Sequence, residues 1–521
     1  MSSFFADEIL AAYARGDASS SLPADELHAL SHMPPGTGAY RDFSAIGPEL
    51  PLLDPDRCVA CMECVSLCPD TAILGKVVSR SRLETAHETW KEPDDGLRAD
   101  VRRLWTATKK YSDAPEKAGK EPGLFTVSVD PTKCKGCGEC VDVCGDRGAL
   151  RMEKKSPALL ARTARTHDFF REVGESDPSY LVEKSLADMM LAERSLLFTG
   201  GAGSCMGCGE ATAIRMMLAA TGFEYGADSM GIVASTGCNS VFGATFPYNP
   251  YRVPWTNSLF ENAPAVAMGI RKQWDRLGYT DKKLWVIGGD GAMLDIGFQS
   301  LSRMLMSGMN IKVLVLDTQV YSNTGGQAST ASFVAQEAKM SSFGKASHGK
   351  REARKELGMV AMAHGDVYVA QTTPALFNHF YRAIKAANSF PGPAVINVLT
   401  TCQPEHGVAD DASAHQERLA VTARAFPVFE YDPRRGASIA ERLSLKGNPS
   451  ATQDWYVDPR TDVPVDFVTW ARTEGRFRHQ FAADGTPSPE LLAGQANRLA
   501  NWRRLRELAG ETLRTERATF R

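Results

Sequence analysis

Eight of the twelve cysteines fall in two runs of the same spacing. One is Cys58-x2-Cys61-x2-Cys64-x3-Cys68-Pro69 and the other Cys134-x2-Cys137-x2-Cys140-x3-Cys144. Three closely spaced thiolates wrap one face of an iron–sulfur cube, and a fourth must come from elsewhere to close it. Where two such runs share a chain, each lends its last cysteine to the other cluster. The expected ligand sets are therefore Cys58, Cys61, Cys64 and Cys144 on one [4Fe–4S] cluster, and Cys134, Cys137, Cys140 and Cys68 on a second. Zinc is the competing chemistry, but its sites usually show two separated CxxC pairs. The second run departs from the pattern by reading Cys144-Gly145 where the first has Cys68-Pro69.

The other four cysteines are Cys205 and Cys208 in a Gly-rich CxxC, Cys238 in Ser-Thr-Gly-Cys-Asn, and Cys402 in Leu-Thr-Thr-Cys-Gln. Spacing alone leaves two readings open: a CxxC redox pair with two buried thiols, or a third cluster that would use every cysteine in the chain. A different chemistry is suggested by Gly289-Asp290-Gly291 and the polar loop from Thr318 to Asn323. A pyrophosphate cofactor such as thiamine diphosphate needs Mg²⁺ in an octahedron of oxygens. Asp290 offers a carboxylate, Thr318 a hydroxyl and Val320 a backbone carbonyl. The glycines let backbone N–H groups approach phosphates.

These residues need elements to position them. Leu284 to Ile287 reads as a short buried strand, Leu294 to Met306 has apolar residues at helical spacing, and Ile311 to Leu316 is a second strand. That is a βαβ unit, so the strands should be parallel. Both loops then emerge at strand carboxyl ends, where open α/β sheets bind ligands. A third strand, Ala394 to Leu399, leads to Cys402. The expected fold class is α/β: a parallel-sheet thiamine diphosphate domain plus a two-cluster, ferredoxin-like α+β domain.

The expected divisions are an N-terminal arm (1–50), the two-cluster domain (51–155) with a charged surface insertion at 75–128, a helical linker (156–197), the thiamine domain (198–430) and a C-terminal helical extension (431–521). In the last, Ser488-Pro489 reads as an N-cap with Pro at N1. Arg498, Arg503, Arg504 and Arg506 read as its solvated face, the alternative being a docking surface for an acidic partner. The chain's 59 basic and 62 acidic residues leave a net charge of −3, which argues against nucleic acid as the main partner. No apolar run has the length of a membrane span, and the N-terminus lacks the basic-then-apolar pattern of a signal peptide. A cytoplasmic setting and unbridged cysteines are expected.

The segments GSCMGCGE, STGCNS, PWTNSLFENA, GGDGAMLDIGF and LDTQVYSNTGGQAS, preceded by the double cysteine motif, resemble pyruvate:ferredoxin oxidoreductase from about residue 55 to about 405. The match is to the carboxyl-terminal half of the single-chain enzymes. The resemblance implies that Cys205, Cys208, Cys238 and Cys402 hold a proximal [4Fe–4S] cluster beside the thiamine, making three clusters in all. It places Mg²⁺ on Asp290, Thr318 and Val320. It places Glu210 and Cys238 against the cofactor. The phosphates fall to Gly289, Asp290, Gly291 and Ala292 and to Thr318, Gln319, Val320, Tyr321, Ser322 and Asn323, and Asn323 faces the substrate. Glu210 and Asn323 are its candidate catalytic residues.

The implied reaction is oxidative decarboxylation of pyruvate with coenzyme A to acetyl-CoA and CO₂. Electrons leave through the clusters to ferredoxin or flavodoxin, and the reaction is reversible as pyruvate synthase. In that family the glutamate that activates the aminopyrimidine, and an arginine and a threonine that bind the substrate carboxylate, come from an amino-terminal domain. Residues 1–55 are too few for such a domain, so a second subunit is expected to carry these groups. The alternatives are the same chemistry on 2-oxoglutarate or another 2-oxo acid, a pure electron-transfer subunit, and a non-oxidative thiamine decarboxylase. Residues 284–326 oppose the second, and three clusters oppose the third.

Overall fold

The computed structural model describes residues 4–182, 185–344 and 347–511. The ends of the expected arm (1–3) and extension (512–521), and residues 183–184 of the expected linker, lie outside the described residues. The chain forms two compact units, one of residues 1–230 and 240–255, the other of residues 231–239 and 256–521.

In the first unit, strand β1 (Glu49–Leu53) and a strand at Leu150–Lys154 pair antiparallel, with Leu53 opposite Leu150. Between them, β2 (Ile73–Ser79), β3 (Thr106–Ala107) and β4 (Gly123–Val129) form a sheet in the order β2-β4-β3, and the strand at 150–154 becomes β5. Each cysteine run coils before a short helix, Glu63–Ser66 in one and Glu139–Cys144 in the other. The two runs repeat one backbone path. Ala60 (φ 57°) and Met62 (φ 65°) occupy the places that Gly136 (φ 79°) and Gly138 (φ 88°) take in the second run. Left-handed backbone is costly for residues with a Cβ, so the first run holds with side chains a conformation that the second obtains from glycine.

The insertion is not the surface excursion its charge suggests. Helices Arg80–Thr89 and Asp95–Arg103 are capped by Ser79 and Asp94, whose side chains accept from Arg82 N and Leu97 N. They bury Leu83, Trp90, Leu97, Val101 and Trp105 against Phe169, Phe170 and Val173 of the segment expected to be a linker. Apolar residues scattered singly among charges give little local signal, yet a few aromatics bury a large area.

The second unit is built on an eight-stranded sheet. Its strands are β6 (Met230–Ser235), β7 (Trp255–Ser258), β8 (Lys283–Gly289) and β9 (Ile311–Asp317), then, after the hairpin β10 (Ser342–Gly344) and β11 (Ser347–Gly349), β12 (Tyr368–Thr372), β13 (Ala394–Leu399), β14 (Phe429–Tyr431) and β15 (Leu443–Ser444). The spatial order is β15-β14-β12-β13-β9-β8-β6-β7. Neighbours β8, β9, β13 and β12 run parallel, while β14 and β15 are antiparallel additions. Gly289 lies opposite Leu316, and Asp317 opposite Leu399. Three carboxyl ends therefore open side by side. The connection from β8 to β9 buries Leu294, Leu301, Met304 and Leu305 in the same core as Val286, Val313 and Val315.

The C-terminal helix Pro489–Leu508 is N-capped by Ser488, whose hydroxyl accepts from Leu491 N at 3.1 Å. Trp502 and Leu505 join the sheet's core. Its arginines do not form one solvated face. Arg498 and Arg506 are 2% and 1% exposed, and they pair with Glu356 at 2.5 Å and Asp454 at 3.1 Å. Arg503 remains exposed, also on Asp454. A planar guanidinium can be buried when carboxylates and carbonyls meet its fork, and Arg506 adds Thr452 O at 2.7 Å. Among the described residues, no helix is long and apolar enough to cross a membrane.

Candidate functional site

The cysteine runs meet in the crossed sense. Cys58, Cys61, Cys64 and Cys144 line one cavity together with Met62 and Arg147. Cys68, Cys134, Cys137 and Cys140 line another with Asp70 and Lys135. All eight are free of disulfides. Burial, with neighbouring thiols adding, pushes Cys64, Cys137 and Cys140 far above the ordinary thiol range and Cys134 up to about 12. Soft sulfur donors of this kind, in crossed fours, fit iron–sulfur clusters.

Two residues without an evident sequence signal fix these loops. Lys135, buried beside Cys134, pairs with Asp70 at 2.6 Å and donates to Ala202 O at 3.0 Å and Ser204 O at 2.7 Å. It thereby ties the second run to the segment leading into Cys205. Arg215, on the helix Gly209–Tyr225 that follows Cys208, donates to Val65 O at 2.5 Å, Ser66 O at 3.2 Å and Cys68 O at 3.1 Å. Glu210 is buried in the first turn of that helix. Cys205 is exposed, and Cys208 stands at the helix N-cap. In the second unit, Cys238 opens a short helix after β6 and Cys402 follows β13.

At the adjoining ends of β8 and β9, Asp290 is almost wholly buried. The Thr318 hydroxyl stands 3.1 Å from Asp290 Oδ1 and 3.1 Å from Val320 O, so it lies within hydrogen-bond reach of both other expected oxygen donors. Thr318 N donates to the same Oδ1 at 3.3 Å, and Ser322 Oγ lies 2.5 Å from the Thr318 hydroxyl. Burial, then the nearby Asp317 carboxylate, pushes the Asp290 carboxyl up to about 8. A divalent cation would restore the carboxylate, and a hard, all-oxygen donor set suits Mg²⁺.

The loop after β9 is held from beneath. Gln319 is left-handed at φ 58° and wholly buried. Its carbonyl accepts from Gln336 Nε2 at 3.0 Å, and its side chain joins Asp317 Oδ1 at 3.0 Å to Arg476 Nη1 at 3.0 Å. Arg354 pairs with Asp317 in the same buried network. Gly291 is required because a Cβ there would sit 2.3 Å from Cε1 of Tyr321, whose hydroxyl donates to Asp295 Oδ2 at 3.1 Å. Ala292 is buried behind it, whereas Asn323 is exposed on the loop. His406 joins two strand ends: its Nε2 donates to Thr318 O at 2.8 Å and its Nδ1 accepts from Cys402 N at 3.4 Å. Burial holds this imidazole well below its ordinary pKa, so it is neutral, as that pattern requires.

A 4Fe-4S binding domain matches residues 51–74, and a thiamine pyrophosphate enzyme C-terminal TPP binding domain matches residues 235–398. The second match covers β8, β9 and β13 with Asp290, Thr318 and Val320. A probable pyruvate-flavodoxin oxidoreductase of Escherichia coli (strain K12) is 31% identical over 506 residues, spanning 83% of this chain and 40% of the relative. The chain thus joins a 4Fe-4S binding domain to a thiamine pyrophosphate-binding domain and is similar to pyruvate-flavodoxin oxidoreductases. The pyruvate-flavodoxin oxidoreductase of Trichormus variabilis is 30% identical, over 80% of this chain and 38% of its own length. The pyruvate:ferredoxin oxidoreductase of Moorella thermoacetica is 27% identical, over 79% and 39%. The chain thus spans about two fifths of the length of these oxidoreductases.

Proposed function

We propose that this chain is the thiamine- and cluster-bearing subunit of a cytoplasmic pyruvate:ferredoxin or pyruvate:flavodoxin oxidoreductase. In this reading it takes part in the coenzyme A-dependent oxidation of pyruvate to acetyl-CoA and CO₂. The convergence of Asp290, Thr318 and Val320 at adjoining parallel strand ends, inside the region matched by a thiamine domain, carries the proposal. Bound thiamine diphosphate supplies a nucleophilic carbon and an electron sink for decarboxylation.

The chain's own residues hold and orient it. Asp290, Thr318 and Val320 bind Mg²⁺. The Gly289–Ala292 turn and the Thr318–Asn323 loop meet the pyrophosphate with backbone N–H groups. Glu210 and Cys238 touch the cofactor, and Asn323 faces the substrate. Cys205, Cys208, Cys238 and Cys402 hold a proximal [4Fe–4S] cluster, and the two crossed sets carry electrons onward to ferredoxin or flavodoxin. In this reading a partner polypeptide supplies the glutamate that activates the pyrimidine and the groups that bind the substrate carboxylate.

Anaerobic assay of viologen reduction with coenzyme A tests this reading. The chain alone should be inactive with pyruvate and gain activity when the missing groups are supplied as a separate polypeptide. Full activity of the chain alone would sink the subunit assignment. A complemented enzyme that turns over 2-oxoglutarate or an aromatic 2-oxo acid in preference would sink the substrate.

A further inference from the structure

Within the first unit a third cavity, of about 440 Å³, lies among the insertion helix Asp95–Arg103, the helix Pro157–Glu172 and strands β1, β4 and β5. Its apolar wall includes Leu52, Leu97, Val101 and Val129, and its polar edge carries Arg103, Arg151 and Arg162. Two of its wall residues, Leu53 and Val127, also line the cavity of Cys58, Cys61, Cys64 and Cys144. A third, Pro51, also lines the cavity of the other cysteine set. This space therefore shares wall residues with the cavity of each set of thiols. Arg162 is engaged by Asp100 at 2.5 Å. Arg103 and Arg151, both exposed, have no carboxylate or carbonyl partner among the described residues.

We propose that this cavity binds an anionic, amphipathic redox molecule of mononucleotide size, of the flavin mononucleotide class. The volume falls within the range of small-molecule sites. The apolar wall suits a planar ring, and two unpaired guanidinium forks suit a phosphate. A ring in this space would rest on residues that also line each set of thiols. The binding stands on the cavity alone, and the redox class rests on the cluster reading above.

Equilibrium dialysis of flavin mononucleotide and of riboflavin against the anaerobically purified, iron-loaded chain tests it. Flavin mononucleotide should bind saturably and riboflavin at least about tenfold more weakly. The double variant Arg103→Ala, Arg151→Ala should lose at least about tenfold in affinity for the phosphorylated ligand only. Thr163→Trp, which fills the cavity, should abolish both. Absence of saturable binding, equal affinity for the two flavins, or indifference to both variants would overturn the proposal. Iron and bound thiamine, measured on the same samples, separate this failure from failure of the proposed function. If a variant loses its iron, the comparison of the two ligands on the unaltered chain still decides.

Discussion

The Ser329 hydroxyl donates to Asp290 Oδ2 at 2.5 Å, while Thr318 engages Oδ1 through both its N–H and its hydroxyl. Both oxygens of the proposed metal-binding carboxylate are thus aimed by neighbours on other segments. Partners that orient a ligand typically matter 10–100-fold for metal affinity. Ser329→Ala is expected to raise the Mg²⁺ concentration needed for thiamine diphosphate retention by about tenfold. Equilibrium dialysis with fluorescent detection of the oxidised vitamin reads this directly, and an unchanged midpoint would remove Ser329 from the site.

Arg215 should govern the first cysteine run. Its three bonds to Val65, Ser66 and Cys68 carbonyls fix the turn that ends in Cys68. Removing a buried donor leaves these acceptors unmet, at about 1–3 kcal/mol. Arg215→Met is expected to lower iron by about four atoms per chain, one cluster's worth. Arg215→Lys should recover part of it. Full iron loading of Arg215→Met contradicts the role.

Lys312 gives a pH signature remote from the proposed cofactors. It is wholly buried in β9 and donates to Phe390 O at 2.6 Å and Gly392 O at 2.7 Å. Burial, with Lys283 and Arg434 adding, lowers its pKa to about 6. The unfolded chain, with an ordinary lysine, therefore binds more protons between about 6 and 10, so stability rises with pH across that window and is lost as pH falls through about 6. The unfolding midpoint of the natural chain relative to Lys312→Met should climb from pH 6 to pH 9. A difference that does not vary with pH would contradict this.

What the sequence made legible was local. The strands around 284 and 311, the Gly-Asp-Gly turn and the helix between them carry period and turn chemistry within about forty residues, and β8, β9 and β13 lie where the apolar runs place them. The cysteine spacing was local too. The residues that escaped notice act across distance: Ser329 reaches Asp290 over 39 positions, His406 reaches Thr318 over 88, and Arg215 reaches Val65 over 150. No periodicity records such a partner. Arg498 shows the same limit, since helical spacing alone gave no sign of Glu356, 142 positions away. The left-handed Gln319 escaped for a different reason. A glutamine gives no hint of φ 58°, which is sustained by buried bonds to Gln336, Asp317 and Arg476.

The proposed set of three clusters is tested most directly by the iron content of the anaerobically purified chain, determined per polypeptide together with acid-labile sulfide. The expected result is about twelve irons and about as many sulfides, with all twelve cysteines protected from alkylation. About eight irons, with Cys205, Cys208, Cys238 and Cys402 open to alkylation, would contradict it.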